Sequence, residues 1–473
     1  MKSKFNFIRI PLILINIIVS IILLVGVNKL DILPTRYFVI AASAIVIINI
    51  LISLLLCLKN IILRIIGIIF SVLLITISII GTTYINETNH FLDTSFNNNV
   101  VERSSYNVVV LKDSPYNKVE DLTDKTLGYL KEEKDSISKL EEAVSILSTQ
   151  YEDLYELYEK LLNGEIDSIM IDEAYLDVLK EDYPDIDEKI KVIYTFDLET
   201  IIEKTPTTQE EELVRPINIF ISGSDSRSDN ISNKSRSDVN MLVTINPNTH
   251  QILLTSIPRD YYVQVHGQTG LKDKLTHAGI YGIDISTKTV EDLFDVEIDY
   301  SIKIGMNAVP AVVDLVGGIE IYSDITFDSY HMPGWVVQKG MNKMDGAKAL
   351  AYARERYAYA SGDRHRIQNQ QQVLEAVLEK VLADKSILLK YDELLSTLGN
   401  LYRTDIPREV ITAFVKEQLD TMPTWTFETQ WVDGKGASMN THTAPAYKRY
   451  VMIPYDDDVK NASFKIKEVL SAE

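Results

Sequence analysis

Arginine gathers at three places in the second half of the chain. The first is Asp225-Ser-Arg227 followed by Arg236-Ser-Asp238. The second is Arg259-Asp260 at the end of an apolar run, and the third is Arg354-Glu-Arg356 followed by Asp363, Arg366 and Gln370. A guanidinium is a planar fork that stays charged at any physiological pH and matches phosphate oxygens bidentately. Surface arginines are usually solvated, so the chemistry depends on convergence; brought to one place, these groups are what a pyrophosphate needs. Spacing bears on this. Residues two apart in an extended segment share a face, which aligns Arg236 with Asp238 and, if extended, Arg354 with Arg356. On a helix Asp363, Arg366 and Gln370 share a face at i, i+3 and i+7.

The carboxylates in these clusters suit a hard cation. Asp225 follows a strand and Asp238 opens the next, and two carboxylates there can hold Mg²⁺, which keeps coordination positions for substrate phosphates. Spacing alone leaves open that they are ordinary turn and strand-entry residues. Other chemistries find little support. The seven histidines show no H-x-x-x-H spacing, and neither a G-x-S-x-G elbow nor a P-loop is present. The single cysteine, Cys57, excludes an intramolecular disulfide and a cysteine-based zinc site.

The elements that must position these groups read as strands alternating with helices. Ile217–Ser222, Val239–Asn246 and Gln251–Ile257 are expected strands. Thr287–Phe294, Asn307–Leu315, Asp345–Ala353 and Asp363–Ala383 are expected helices, and Gly317-Gly318 leads into a strand ending at Ile321. This pattern predicts an α/β/α sandwich around a mixed sheet. Pro258 stops the third strand and aims Arg259 at the sheet edge where α/β folds bind ligands. Further on, helices over Glu409–Leu419 and Val459–Leu470 and strands over Trp425–Val432 and Arg449–Ile453 are expected. The domain spans 216–473, with its core at 217–382.

Ahead of it, residues 106–200 read as a small αβ accessory domain. Val108–Leu111 and Ile166–Ile171 are strands, and Ile137–Leu162 has helical spacing. Its segments SPYNKVEDLTDKTLGYL and LLNGEIDSIMID resemble one lobe of a periplasmic solute-binding protein. Polar stretches at 87–105 and 201–215 read as linkers.

Residues 1–86 are a three-helix transmembrane anchor. The apolar runs Ile10–Val27, Tyr37–Leu58 and Ile65–Ile85 can each cross a hydrocarbon core of ~30 Å. Lys2, Lys4 and Arg9 precede the first, and Lys59 and Arg64 separate the second from the third. Asp31 dilutes Lys29 and Arg36 in the first loop, and Glu87, Asp93 and Glu102 follow the third span. The positive-inside rule places the N-terminus in the cytoplasm and the chain after about Asn86 outside the cell membrane. The anchor is net +6 within a chain of net charge −20, so the rest carries −26. That balance repels a phosphate backbone, so nucleic acid is not an expected partner.

Taken in order, NIFISGSDSRSD, RSDVNMLVTINP, LLTSIPRDYYV, KLTHAGIYG, DLVGGIEIY, GMNKMDGAKALAYARER and GDRHRIQNQQ resemble the LytR-CpsA-Psr family of cell-wall glycopolymer ligases. The resemblance covers Ile217 to Leu382 and, more loosely, the remainder. With three spans and an accessory lobe, the chain is most similar to the capsule-associated branch. The resemblance implies a Mg²⁺-dependent phosphotransferase acting on a polyprenyl-pyrophosphate-linked glycopolymer, a capsular polysaccharide in that branch. It attaches the polymer to a peptidoglycan acceptor and releases polyprenyl phosphate, and the fold encloses a hydrophobic tunnel for the polyprenyl chain. Other capsule-assembly proteins are implied partners. By motif, Asp225 and Asp238 take the metal. Arg236, Arg259, Arg354 and Arg356 hold the pyrophosphate and, with Asp238, carry catalysis, with Arg366 and Gln370 beside them. Asn369 and His365 stand where many members have Arg and Gly, so Asn369 is expected to hydrogen-bond in place of a phosphate contact. A polyprenyl-pyrophosphate hydrolase with the same site is the alternative. A transcriptional regulator is opposed by the outward topology and by the lack of a basic recognition helix.

Overall fold

The structure, a computed structural model, describes residues 2–95, 99–203, 213–224, 231–359, 362–389 and 396–473. It opens with three long helices, α1 (Lys2–Leu30), α2 (Thr35–Cys57) and α3 (Ile61–Ser95). Their apolar segments Arg9–Leu30, Thr35–Cys57 and Ile61–Asn89 are long enough to cross a membrane. Among lipid tails apolar packing gives helices little reason to associate, so polar and small side chains carry the register. Asn16 Nδ2 donates to Ser71 Oγ (2.6 Å) and Asn49 Nδ2 to Ser20 Oγ (3.0 Å).

A five-stranded sheet follows. It is built from β1 (Asn99–Leu111), β2 (Thr126–Leu130), β3 (Leu147–Tyr151), β4 (Ser168–Asp172) and β5 (Ile190–Glu203), in the order β3-β2-β4-β1-β5. Three helices pack on it: α4 (Lys134–Ala143), α5 (Leu154–Leu162) and α6 (Glu173–Asp182). Val109, Ile169 and Ile171 face α5 and α6, and Val108, Val110 and Met170 face α4. Three sequence expectations change here. Helix α3 runs to Ser95 and β1 starts at Asn99, so the stretch read as a linker over 87–105 is largely helix and strand. Strand β5 likewise enters the expected 201–215 linker. The helical spacing over Ile137–Leu162 hides β3, an edge strand whose partly or fully exposed side chains carry no apolar alternation.

The second sheet is mixed and six-stranded. Strands β6 (Ile217–Ser224), β7 (Val239–Asn246), β8 (Gln251–Ile257), β9 (Tyr300–Gly305), β12 (Tyr402–Thr404) and β13 (Thr426–Trp431) lie in the order β12-β9-β6-β7-β8-β13. The pairs β6/β9 and β8/β13 are parallel and the rest antiparallel. The intervening helices are α7 (Ile283–Phe294), α8 (Ala308–Leu315), α9 (Gly346–Arg354), α10 (Asp363–Ala383) and α11 (Arg408–Thr421). Antiparallel pairs β10 (Ile319–Ser323) with β11 (Gly340–Met344) and β14 (Gly434–Asn440) with β15 (Lys448–Pro454), two shorter two-residue pairings and a final helix α12 (Asp456–Ser471) flank it. Phe220, Leu242 and Leu253 pack on α7 and α12, whereas Ile219, Met241, Val243 and Leu254 pack toward α10 and α11. Both faces are covered, which is why these strands read as continuous apolar runs. The expected α/β/α sandwich is the observed one.

Two junctions tie the parts together. Ile32, between α1 and α2, packs with Leu388 and Leu419. Around it Arg36 Nε lies 2.8 Å from Asp420 Oδ1, Lys416 Nζ 2.6 Å from Asp31 Oδ1, and Arg408 Nη2 donates to Asn89 Oδ1 (2.7 Å). With three crossings the α1–α2 turn and the end of α3 fall on the same side of a membrane, and both meet the second sheet's helix α11. The other junction joins the two sheets. Ile280 and Ala444 are buried in the same core as Tyr155 and Leu179. Arg449 pairs with Asp182 at 2.8 Å while lying over the rings of Tyr155 and Tyr447.

Candidate functional site

Because β7 is antiparallel to both neighbours, β6 and β8 end on the edge where β7 begins. Gly223 pairs with Val239, and Ile257 with Asn240. The segment entering β7 is held from several directions. Asp238 N donates to Gly223 O (2.8 Å), Ser237 N to Thr276 O (3.1 Å) and Ser235 N to Gly279 O (3.0 Å). Buried Lys303 donates from Nζ to Asn233 O (2.5 Å) and Ser235 O (3.3 Å). Ser237 Oγ sits 2.7 Å from Ser222 Oγ and donates to Asn240 Oδ1 (2.7 Å). This network aims Arg236 and Asp238 in one direction, as the two-residue spacing predicts.

Arg259, two residues past β8, meets them there. Its Nη1 is 2.5 Å from Asp238 Oδ1 and its Nε 3.8 Å from Asp260 Oδ2, while Arg236 Nη2 is 4.0 Å from Asp238 Oδ2. These side chains are largely shielded, with Arg236 12% and Asp238 11% exposed. Burial opposes the charge of Asp238, but Arg236, Arg259 and Arg366 overcome it and hold the carboxyl below its usual range. Arg366, on the first turns of α10, therefore belongs to the same field. Gln370 lies one turn further along that helix.

Two further members of the cluster, Lys274 and Glu181, are not among the expected site residues. Buried Lys274 lies 3.6 Å from Asp260 Oδ1 and 3.6 Å from Glu181 Oε1. Glu181 comes from α6, beside the other sheet. It forms an ion pair with Arg236 Nη1 and accepts from Arg259 Nη2 at 3.2 Å. Burial opposes its charge, yet Lys274, Arg236, Arg259 and His277 bring its pKa down to about 2. A carboxylate so acidic is a weak general base at neutral pH. Lys274 stood inside the recognisable segment KLTHAGIYG, one residue from a buried Asp273–His277 pair, and was legible in principle. Glu181 offered no sequence signal.

Of the other expected ligands, Arg354 and Arg356 fall elsewhere. Asp225 lies outside the described residues. Arg354 ends α9, with its carbonyl 3.0 Å from His331 Nε2, and Arg356 is exposed, donating to Tyr357 Oη (2.7 Å) with its guanidinium over that ring. Among the described residues no ion pair or hydrogen bond ties either arginine to the Arg236–Arg259 cluster. Their loop is nonetheless fixed. Buried Glu355 accepts from the backbone of Arg356 (3.1 Å), Tyr357 (2.9 Å) and Tyr330 (2.9 Å), and Asn369 Nδ2 donates to Tyr352 O (3.0 Å). Asn369 thus hydrogen-bonds to backbone beneath the loop.

A cation fits one corner of this site. Among the described residues Asp238 Oδ2 is buried without a hydrogen-bond partner, a hard oxygen with Arg236 Nη2 no nearer than 4.0 Å, while Oδ1 is held by Arg259. No set of three His, Cys, Asp or Glu side chains among those residues could hold a metal unaided. Mg²⁺ does not need one, since it is commonly bound by one or two carboxylates together with substrate phosphates and water.

The LytR_cpsA_psr family model matches residues 188–452, more than half of the chain. The chain belongs to this family. Over 192 residues it is 34% identical to the polyisoprenyl-teichoic acid–peptidoglycan teichoic acid transferase TagU of Enterococcus faecalis (strain ATCC 700802 / V583). That alignment covers 40% of this chain and 62% of the relative. Over 197 residues it is 35% identical to the protein of the same name from Bacillus cereus (strain AH820), covering 41% and 62%. The chain thus spans less than two thirds of the length of these curated relatives. The crystal structure of B. subtilis TagV aligns with 55% of this chain and 99% of its own, at 25% identity and a TM-score of 0.46. The LytR_cpsA_psr match contains Arg236, Asp238, Arg259, Lys274 and Arg366, whereas Glu181 and the three apolar helices precede it.

Proposed function

We propose that this protein is a membrane-anchored phosphotransferase that attaches a polyprenyl-pyrophosphate-linked glycopolymer to peptidoglycan and releases polyprenyl phosphate. The observation that carries the reading is the shielded convergence of Arg236 and Arg259 on Asp238 at the ends of β6 and β8, with Lys274 beside them on Asp260. The acceptor hydroxyl attacks the sugar-linked phosphorus, a new phosphodiester forms, and the bond to the polyprenyl phosphate breaks. The guanidinia bind and orient the two phosphates and stabilise negative charge as it moves onto the leaving group, which is most of what a protein can contribute to phosphoryl transfer. Asp238, with Asp225, would hold Mg²⁺, which when bound neutralises phosphate charge. Arg354 and Arg356, on their fixed loop, are the proposed outer contacts to the pyrophosphate, with Arg366 and Gln370 as further proposed contacts from α10. A capsular polysaccharide is the proposed polymer, on the ground that three spans and most of an extra αβ unit precede the family-matched region.

The purified full chain, given labelled polyprenyl-pyrophosphate glycopolymer, Mg²⁺ and peptidoglycan sacculi, is expected to move label into the insoluble wall, and chelation should stop it. Soluble labelled polymer formed equally well without sacculi would instead identify a hydrolase.

The proposed orientation has the N-terminus in the cytoplasm and everything after α3 outside the cell. It rests on the charged flanks and on the contacts of the α1–α2 turn with α11. Protease added to wall-stripped cells should degrade the region after Ser95 and leave an anchor fragment. Complete protection would reverse the assignment.

A further inference from the structure

Glu181 is the feature of the site that the phosphotransferase reading leaves unused. It reaches the cluster from helix α6 of the other sheet and meets the guanidinia at the nitrogens a phosphate would use, Arg236 Nη1 and Arg259 Nη2, with Lys274 beside it. Its place is costly to its own helix. Glu181 is the penultimate residue of α6, where the helix dipole disfavours an anion. Asp177, one turn earlier on the same face, also lies in the field of Arg236. The neighbouring Asp182 is clamped to Arg449 at 2.8 Å, so α6 itself is anchored and Glu181 can leave the cluster only by turning its side chain.

Charge makes the consequence definite. Among the described residues Arg236, Arg259, Lys274 and Arg366 act on Glu181, Asp238, Asp260 and Asp177, four cations against four carboxylates, so these groups carry no surplus positive charge. A pyrophosphate diester brings two further negative charges into a shielded site, where like charges repel far more strongly than in water.

We propose that Glu181 is a built-in anion occupying the phosphate position of the arginine cluster, and that the incoming pyrophosphate must displace it. The inference rests on the pyrophosphate-binding reading of that cluster. It makes Glu181 a specificity-determining residue: an anion enters only if it outcompetes a carboxylate already held by three cations. A pyrophosphate with several oxygens and a cation of its own does so, and a singly charged phosphodiester does not. It also gives the first sheet unit a role at the reaction centre without a contact to the reacting atoms.

The test is titration calorimetry on the full chain in lipid nanodiscs, with inorganic pyrophosphate at fixed Mg²⁺ as the probe. Glu181→Gln keeps the shape and removes the charge. Glu181→Ala serves as a second variant, and melting curves check the fold of both. Each is expected to bind pyrophosphate about tenfold more tightly than wild type. Their KM for the lipid-linked substrate should fall, and inorganic phosphate, excluded from wild type, should bind measurably. Unchanged or weaker pyrophosphate binding in both folded variants would overturn the inference and leave Glu181 a docking bridge. That result would spare the phosphotransferase reading as long as Arg259→Ala abolishes binding. Absence of pyrophosphate binding in wild type and variants alike would remove both.

Discussion

Arg259→Ala should abolish transfer and weaken the fold at the same time. The side chain holds Asp238 Oδ1 at 2.5 Å and Glu181 Oε1 at 3.2 Å, and its Nε faces Asp260 at 3.8 Å. Removing it leaves three carboxylates in a shielded pocket with Arg236 and Lys274 as their nearest compensation. Breaking a buried pair by deleting one partner costs about 3–5 kcal/mol. In the reaction, the loss of an arginine that stabilises a transferring phosphoryl group lowers the rate by about 10³-fold or more. Arg259→Lys separates the two effects. It restores the charge, so the melting temperature should return most of the way to wild type. It lacks the fork that bridges two acceptors, so transfer should stay about 10- to 100-fold low, as expected for one lost charge-assisted bond of ~1.5–3 kcal/mol. Thermal melts beside the sacculus-transfer assay read both quantities. Wild-type transfer by a folded Arg259→Ala protein would take this arginine out of the proposed mechanism.

That Arg236, Asp238 and Arg259 meet was legible because each rests on a local rule. Continuous apolar runs marked the strands, the two-residue spacing aligned Arg236 with Asp238, and Pro258 ended β8 where its successor had to face the sheet edge. Such rules act within one element and its immediate exit, so they survive folding. Arg354 and Arg356 show where they stop. The segment does leave α9 extended at Glu355, as its spacing allowed, but an extended pair can face solvent as readily as a site, and Arg356 settles on Tyr357.

Glu181 was not legible for a different reason. It is separated from Arg236 by 55 residues and from Arg259 by 78, and its position depends on how two independently patterned sheets dock. Neither sheet's apolar periodicity encodes that junction, which is made by tyrosines and by Arg449. The same limit explains the 87–105 stretch. Its Asn, Thr and Ser content resembles a loop, yet β1 gains a partner along its whole length when β5 pairs from Asn99↔Glu203 to Leu111↔Ile190. Tertiary pairing overrode weak local propensity, as it commonly does in sheets.

The second large effect concerns a residue without a functional group. Gly279 lies against the backbone that enters β7; a Cβ there would sit 2.3 Å from Ser235 O and 3.1 Å from Ser237 N. Both neighbours are main chain, so Gly279→Ala must push the 235–237 segment outward or break the Ser235 N to Gly279 O bond of 3.0 Å. Overpacking of this kind costs about 1–3 kcal/mol, a modest loss for a domain with two covered sheet faces. The functional loss should be larger. Arg236 lies between the two displaced contacts and Asp238 directly follows them, and a misplacement of about 1 Å in positioning groups lowers a rate by roughly 10²-fold. Gly279→Ala is therefore expected to melt a few degrees below wild type while transferring glycopolymer about 100-fold more slowly. The same displacement should carry Arg236 away from Glu181, so the loss is one of geometry with every charged group retained. A folded Gly279→Ala protein with unimpaired transfer would mean that the reaction does not depend on where the β7 entry holds Arg236 and Asp238, and the site would have to be sought at a different edge of the sheet.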